Sequence, residues 1–147
     1  MNKVGLTDLG CFEIDLDDVA EVPLLGDVAA GQPIEAISQP RTVSIPSDML
    51  GRYRTFALKV RGESMIDEHI KPGDTIVVEE RQTADNGETV VAIINETDVT
   101  LKKLYVERDH IRLEPANSRM APIILRHSDV RVLGVVCGLI RHYRNKH

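Results

Sequence analysis

The feature that most constrains the fold is a series of short runs rich in β-branched residues, each bounded by a turn sequence. They lie at residues 56–60, 75–78, 89–94 and 99–101. Such runs are typical of strands, and the Pro-Gly-Asp, Asn-Gly and Asn-Glu-Thr-Asp sequences between them are typical of turns. The spacing predicts a mostly β fold with antiparallel or mixed sheets. Helix is expected only as short turns at residues 47–51 and 64–69, each opened by a serine that can cap.

The length and composition indicate one soluble globular domain with a short arm. The chain has 147 residues, of which 42% are hydrophobic and 28% charged, as in ordinary soluble domains. No stretch reaches the roughly 18 consecutive apolar residues that a membrane span needs. Residues 1–10 lack the layout of a signal peptide. We therefore expect a cytoplasmic protein with no membrane segment.

The negative charge is concentrated at the N-terminus. Residues 1–22 carry six acidic side chains and one lysine, and the net charge of the whole chain is −5, so the remainder is neutral. A neutral body with an acidic arm lacks the basic surface that binds phosphates, which argues against direct DNA binding. Within the arm, apolar and acidic residues alternate over residues 12–17. This pattern fits either a strand with one buried face or a solvated acidic tail.

The cysteines and histidines do not indicate a metal site. The two cysteines lie far apart, and the five histidines show no spacing typical of ligands. We expect no metal and no other cofactor. Cys137 lies in the apolar C-terminal run, between Val136 and Gly138, and is predicted to be a small core residue.

A first candidate for chemistry is the segment 62–65, which reads Gly-Glu-Ser-Met. Ser64 follows a flexible glycine and opens a short helical turn. Backbone N–H groups at such a turn have no intrahelical partner, so they could stabilise an oxyanion. The simpler interpretation is that Ser64 only caps the turn.

A second candidate is the adjacent pair Lys102 and Lys103 on a predicted strand. Neighbouring side chains on a strand point to opposite faces, so one lysine can face solvent while the other lies among apolar groups. Burial disfavours a charged ammonium, and a neutral amine can accept the proton of a serine hydroxyl. Alternation alone does not say which lysine faces inward. Two solvated lysines on an edge strand are the alternative.

A third candidate is the segment 28–33, which reads Val-Ala-Ala-Gly-Gln-Pro. Its small side chains allow an extended chain to enter a narrow groove. Gly31 has no side chain to block approach to the carbonyl of Ala30, and Pro33 discourages regular sheet pairing beyond it. A plain connecting loop between arm and body is the alternative interpretation.

Together the three segments resemble the LexA/UmuD family of self-cleaving Ser–Lys peptidases. Residues 28–33 resemble the family's cleavage loop, and residues 62–65 resemble its nucleophile motif. Residues 99–104 resemble its base motif, and residues 113–123 resemble a further segment. The order is the same and the spacing is similar. The resemblance covers residues 22–143. It implies that Ser64 is the nucleophile, Lys102 the base and Ala30–Gly31 the scissile bond. It also implies that the backbone N–H groups of Glu63 and Ser64 are the oxyanion donors.

The resemblance also implies a layout and a function. It divides the chain into an acidic N-terminal arm at 1–22, a cleavage loop at 23–33, and a Ser–Lys peptidase and dimerisation domain at 34–147. It implies a homodimer that cuts its own chain when a RecA filament on single-stranded DNA stimulates it. The expected function is thus an autoproteolytic regulator of the SOS response to DNA damage.

Other functions stay open because LexA repressors carry a winged helix-turn-helix domain before the loop, where this chain has a short acidic arm. A UmuD-like accessory subunit of a translesion polymerase fits the size. A transcription regulator derived from a repressor, or a non-enzymatic dimeric interaction module, would keep the same fold. A peptidase that acts on other proteins is also conceivable, since signal peptidases use a similar dyad.

Overall fold

The computed structural model describes residues 18–29, 31–61, 69–115 and 121–143. Most of these residues lie in a nine-stranded sheet. In chain order the strands are β1 (Val19–Val28), β2 (Glu35–Pro46), β3 (Thr55–Val60), β4 (Thr75–Glu80), β5 (Thr89–Ile94), β6 (Asp98–Val106), β7 (Ile111–Glu114), β8 (Ile123–Leu125) and β9 (Val130–Ile140). The four runs predicted as strands lie within β3, β4, β5 and β6, so these predictions are confirmed.

The sheet is mixed, with the spatial order β2-β1-β3-β4-β9-β5-β6-β7-β8. Strands β1 and β3 are parallel, and the other neighbouring strands are antiparallel. This confirms the expected fold class, a mostly β domain with antiparallel and mixed pairing. Strand β9, which comes last in the chain, lies between β4 and β5 and joins the two halves of the sheet.

The central strands are buried on both faces. In β4, Ile76 and Val78 belong to one apolar cluster, whereas Val77 between them belongs to a second cluster on the opposite face. The first cluster also contains Val99 and Leu101 of β6, although β4 and β6 are not neighbours in the sheet. The sheet therefore curls so that β6 packs over β4, and side chains of β6 reach the interior.

The described residues include two 3₁₀ turns, Ser47–Met49 and His127–Asp129, and Asp18 also has 3₁₀ conformation. The first agrees with the helical turn predicted at 47–51, but its N-cap is Pro46 and no side chain caps it. The second predicted turn and the alternating stretch 12–17 lie outside the described residues, except for His69 at the end of the turn. In the part of the chain that the structure describes, no helix is long and apolar enough to span a membrane.

The prediction that Cys137 is a core residue is wrong. Its side chain is exposed, and its thiol donates a hydrogen bond to the carbonyl oxygen of Val77 at 3.5 Å. The β4–β9 register steps from Val78↔Val136 to Val77↔Gly138, so Cys137 is the extra residue of a β-bulge. A bulge interrupts the alternation of side chains between the two faces of a sheet. An apolar run in a sequence does not show where such an interruption occurs.

Gly134 in β9 is predicted to be intolerant of a side chain. A Cβ atom there would lie 2.5 Å from Cγ1 of Val78 and closer still to the carbonyl oxygen of Glu79. Because both contacts belong to a central strand that cannot move independently, Gly134→Ala should lower the free energy of unfolding by about 1–3 kcal/mol. Urea denaturation measures this change. Gly51→Ala is the matched control, since its new Cβ would meet only the flexible Glu79 carboxylate at 3.3 Å, and an equal loss in both variants would contradict the prediction.

Candidate active site

The two adjacent lysines on β6 have different surroundings. Lys102 is buried, with 7% of its surface exposed, whereas Lys103 is exposed. The preceding residues Val99–Leu101 are buried on both faces of the strand, and this interior continues to Lys102. The structure thus identifies Lys102 as the lysine that faces inward, which alternation in the sequence did not decide.

The chain just after the predicted scissile bond is hydrogen-bonded to the same strand. The N–H of Gly31 donates to the carbonyl oxygen of Val99 at 2.9 Å, and the N–H of Val99 donates to the carbonyl oxygen of Gln32 at 3.1 Å. On its other side Val99 faces Ile93 of β5. Residues 31–32 therefore lie along the edge of β6 that points away from β5, and β7 continues along this edge from Lys103.

A backbone hydrogen bond closes a turn between Ala29 and Gln32, the described residues around the predicted scissile bond. The N–H of Gln32 donates to the carbonyl oxygen of Ala29 at 3.2 Å. Gly31 within the turn has φ of 74°, a left-handed conformation that residues with a side chain adopt only at an energetic cost. Ala30 lies outside the described residues, but the residues on both sides of it are placed. The positive φ thus favours glycine at position 31.

The chain enters the segment that contains the predicted nucleophile from a position close to this turn. The N–H of Arg61 donates to the carbonyl oxygen of Val28 at 2.8 Å, at the point where β3 ends beside β1. After the segment, the chain returns to Val60, which exchanges backbone hydrogen bonds of 2.8 and 2.9 Å with Asp74 and Gly73. Ser64 and Glu63 lie outside the described residues.

An ion pair between a buried carboxylate and an exposed arginine holds the returning chain. Asp74 is 2% exposed, and its carboxylate accepts hydrogen bonds of 2.9 and 2.7 Å from Arg141 and one of 2.8 Å from the N–H of Lys71. Arg141 also donates to the carbonyl oxygen of His69 at 2.9 Å. The hydrogen bonds from Arg141 hold the pKa of Asp74 below its usual value, although burial alone would raise this pKa.

A second ion-pair cluster lies at the base of the turn. Arg61 contacts the carboxylates of Glu35 and Asp27. Neither cluster was predicted from the sequence, because the partners come from distant parts of the chain. The only sequence signal was the Pro-Gly-Asp turn that ends at Asp74.

Chain segments that flank the predicted site residues meet in one region, and of those residues themselves only Gly31 and Lys102 are described. Val28, Val60, Val99 and Leu101 belong to one apolar cluster, so the turn, the end of β3 and the lysine-bearing strand meet there. Lys102 lies three residues beyond Val99, about 10 Å along the strand. Within the described ranges, no group of three or more His, Cys, Asp or Glu side chains could hold a metal ion.

The described part of the site is thus a mostly β sheet in which residues 31–32 are bonded to the strand that buries Lys102. In a comparison with known families, residues 23–137 match the Peptidase S24-like family. Since this match covers most of the chain, the protein belongs to the Peptidase S24-like family.

Three curated relatives are named LexA repressor. The protein from Syntrophobacter fumaroxidans is 47% identical over 125 residues, which are 85% of this chain and 60% of the relative. The Koribacter versatilis protein is 48% identical, covering 84% and 59%, and the Pseudothermotoga lettingae protein is 42% identical, covering 88% and 66%. The chain thus spans about three fifths of the length of the relatives it matches.

Proposed function

We propose that this protein is an autoproteolytic regulator of the SOS response to DNA damage, which cuts its own Ala30–Gly31 bond. Ser64 is the nucleophile and Lys102 the base in this proposal. The observation that carries it is that Gly31 is hydrogen-bonded to the strand on which Lys102 is buried. The LexA repressor relatives supply the regulatory context.

The first half of the proposed reaction is acyl transfer within one chain. The Ser64 hydroxyl attacks the Ala30 carbonyl carbon while the neutral amine of Lys102 takes the hydroxyl proton. The backbone N–H groups of Glu63 and Ser64 stabilise the negative oxygen of the tetrahedral intermediate. Lys102 then gives the proton to the nitrogen of Gly31, the C–N bond breaks, and an ester joins Ser64 to Ala30.

The second half is hydrolysis of this ester. Lys102 takes a proton from water, the hydroxide attacks the ester carbonyl, and the proton returns to the Ser64 oxygen as it leaves. The products are residues 1–30 with a new carboxylate and residues 31–147 with a new amine. The hydrogen bond from Gly31 to Val99 supports this assignment, because it fixes the nitrogen that becomes the leaving amine.

The partners follow from the same proposal. A loop that enters its own active site needs a docked and an undocked conformation, and a RecA filament on single-stranded DNA would stimulate cleavage by favouring the docked one. The protein would act as a homodimer. We further propose an arm at 1–22, a cleavage loop at 23–33 and a peptidase and dimerisation domain at 34–147, although β1 (Val19–Val28) runs across the first of these boundaries.

The test is the mass of the chain after incubation at about pH 10, where about a quarter of ordinary lysine amines are already neutral. We expect two fragments that meet at Ala30–Gly31, while the Ser64→Ala variant stays intact. The masses should be measured under denaturing conditions, because β1 pairs with both β2 and β3 and could keep the fragments together. A parent chain that stays intact both at this pH and with RecA filaments would contradict self-cleavage and favour a non-enzymatic interaction module.

A further inference from the structure

Two carboxylates face each other at the base of the turn that the Ala29–Gln32 hydrogen bond closes, called the cleavage turn below. Asp27 near the end of β1 is the register partner of Glu35 at the start of β2, so they form the last pair of the β1–β2 ladder before the turn. Like charges directly opposite each other on antiparallel strands are destabilising. The pair therefore needs a cation nearby if the two strands are to stay closed at this point.

Arg61 supplies that cation. Its Nη2 lies 2.6 Å from Oε2 of Glu35, and its Nε lies 3.4 Å from Oδ2 of Asp27. Its backbone N–H also donates to the carbonyl oxygen of Val28. One residue thus contacts both strands that flank the turn. In the chain Arg61 stands three residues before Ser64.

We propose that Arg61 is a positioning residue that holds the cleavage turn docked on β6. When the guanidinium is removed, Asp27 and Glu35 repel each other, the base of the turn opens, and the bonds between residues 31–32 and Val99 form a smaller fraction of the time. The cleavage rate falls with this docked fraction. The effect on cleavage rests on the proposed function, whereas the effect on docking does not.

The exposure of the three side chains limits the size of the effect. The side chains of Asp27, Arg61 and Glu35 are 29%, 43% and 66% exposed, so water and salt weaken their attraction. We expect Arg61→Gln to slow self-cleavage by about two- to fivefold at low salt. The difference from the parent should shrink as salt is added, because added ions screen exposed charges.

Charge exchange separates positioning from a general loss of structure. Arg61→Glu places three carboxylates together and should slow cleavage more than Arg61→Gln. Combining it with Glu35→Arg restores an opposite-charge pair and should recover much of the rate. Arg126→Gln is the matched control, since Arg126 forms an exposed ion pair with Asp129 away from the turn, and it should cut at the parent rate. A double variant no faster than Arg61→Glu alone would overturn the proposal.

Hydrogen exchange tests docking without any cleavage. The amides of Gly31 and Val99 are hydrogen-bonded across the contact only while the turn is docked. In a Ser64→Ala background, Arg61→Gln should therefore raise their exchange rates by about the factor expected for the cleavage rate, two- to fivefold. Unchanged exchange would overturn the proposal even if the parent cuts itself. Faster exchange in a protein whose parent does not cut would support the positioning role of Arg61 and reject self-cleavage.

Discussion

Lys102→Ala should abolish self-cleavage, whereas Lys103→Ala should cut at close to the parent rate. The two substitutions remove the same side chain from adjacent positions of β6, so each is the matched control for the other. Lys102 is buried and Lys103 is exposed. Loss of a general base costs about a hundredfold or more in rate. The measurement is the first-order rate of fragment formation at about pH 10.

Lys102→Arg distinguishes a base from a buried charge. Arginine keeps the positive charge, but its guanidinium stays protonated in proteins and cannot accept the serine proton. We therefore expect no cleavage by this variant. Urea denaturation of all three variants shows whether the fold survives, so that loss of cleavage is not confused with unfolding. Full activity of Lys102→Ala together with inactivity of Lys103→Ala would transfer the role of base to Lys103.

The strands were predictable because their signal is local. The runs in β3, β4, β5 and β6 combine β-branched residues with short turns, and the side chains of a strand need no distant partner to favour an extended chain. Burial on both faces was harder to predict, because it depends on the curl of the sheet that brings β6 over β4. The same curl determines which of the two lysines is buried, and alternation could not reveal it.

The error at Cys137 has a related cause. Its neighbours Val136 and Gly138 suggested a core position, but a shift in the register of β4 and β9 places the thiol on the exposed face. A bulge depends on the pairing of two strands that are distant in sequence. The apolar composition around Cys137 is the same whether or not a bulge forms, so it could not predict which face the thiol lies on.

The turn at the scissile bond was predicted only in part. The small side chains of residues 28–31 and the absence of a side chain at Gly31 were visible in the sequence. The positive φ of Gly31 and its bond to Val99 were not, because they depend on a strand that lies far along the chain. The cluster around Arg61 was missed for the same reason, since arginines and carboxylates on a surface are common and only three-dimensional contact selects these three.

Asp74→Ala should lower the free energy of unfolding by about 1–3 kcal/mol. The carboxylate is 2% exposed and accepts hydrogen bonds from Arg141 and from the N–H of Lys71. Its removal leaves both donors without this acceptor, and water can replace it only in part because the position of Asp74 is buried while Arg141 is exposed. Urea denaturation measures the change, and Asp109→Ala is the control, because Asp109 pairs with His110 on the exposed surface. Equal effects of the two substitutions would contradict the prediction.

The same ion pair should make stability depend on acid pH. The hydrogen bonds from Arg141 lower the pKa of Asp74 in the folded state, so the unfolded chain takes up this proton first as the pH falls. The contribution of Asp74 is complete above the unfolded pKa of about 4 and is lost as the pH falls through the lower folded pKa. Asp74→Asn has no carboxyl to protonate, so its stability should fall less steeply than that of the parent below about pH 4. Parallel stability curves for the parent and Asp74→Asn between about pH 2 and pH 5 would show that the pair contributes no acid sensitivity.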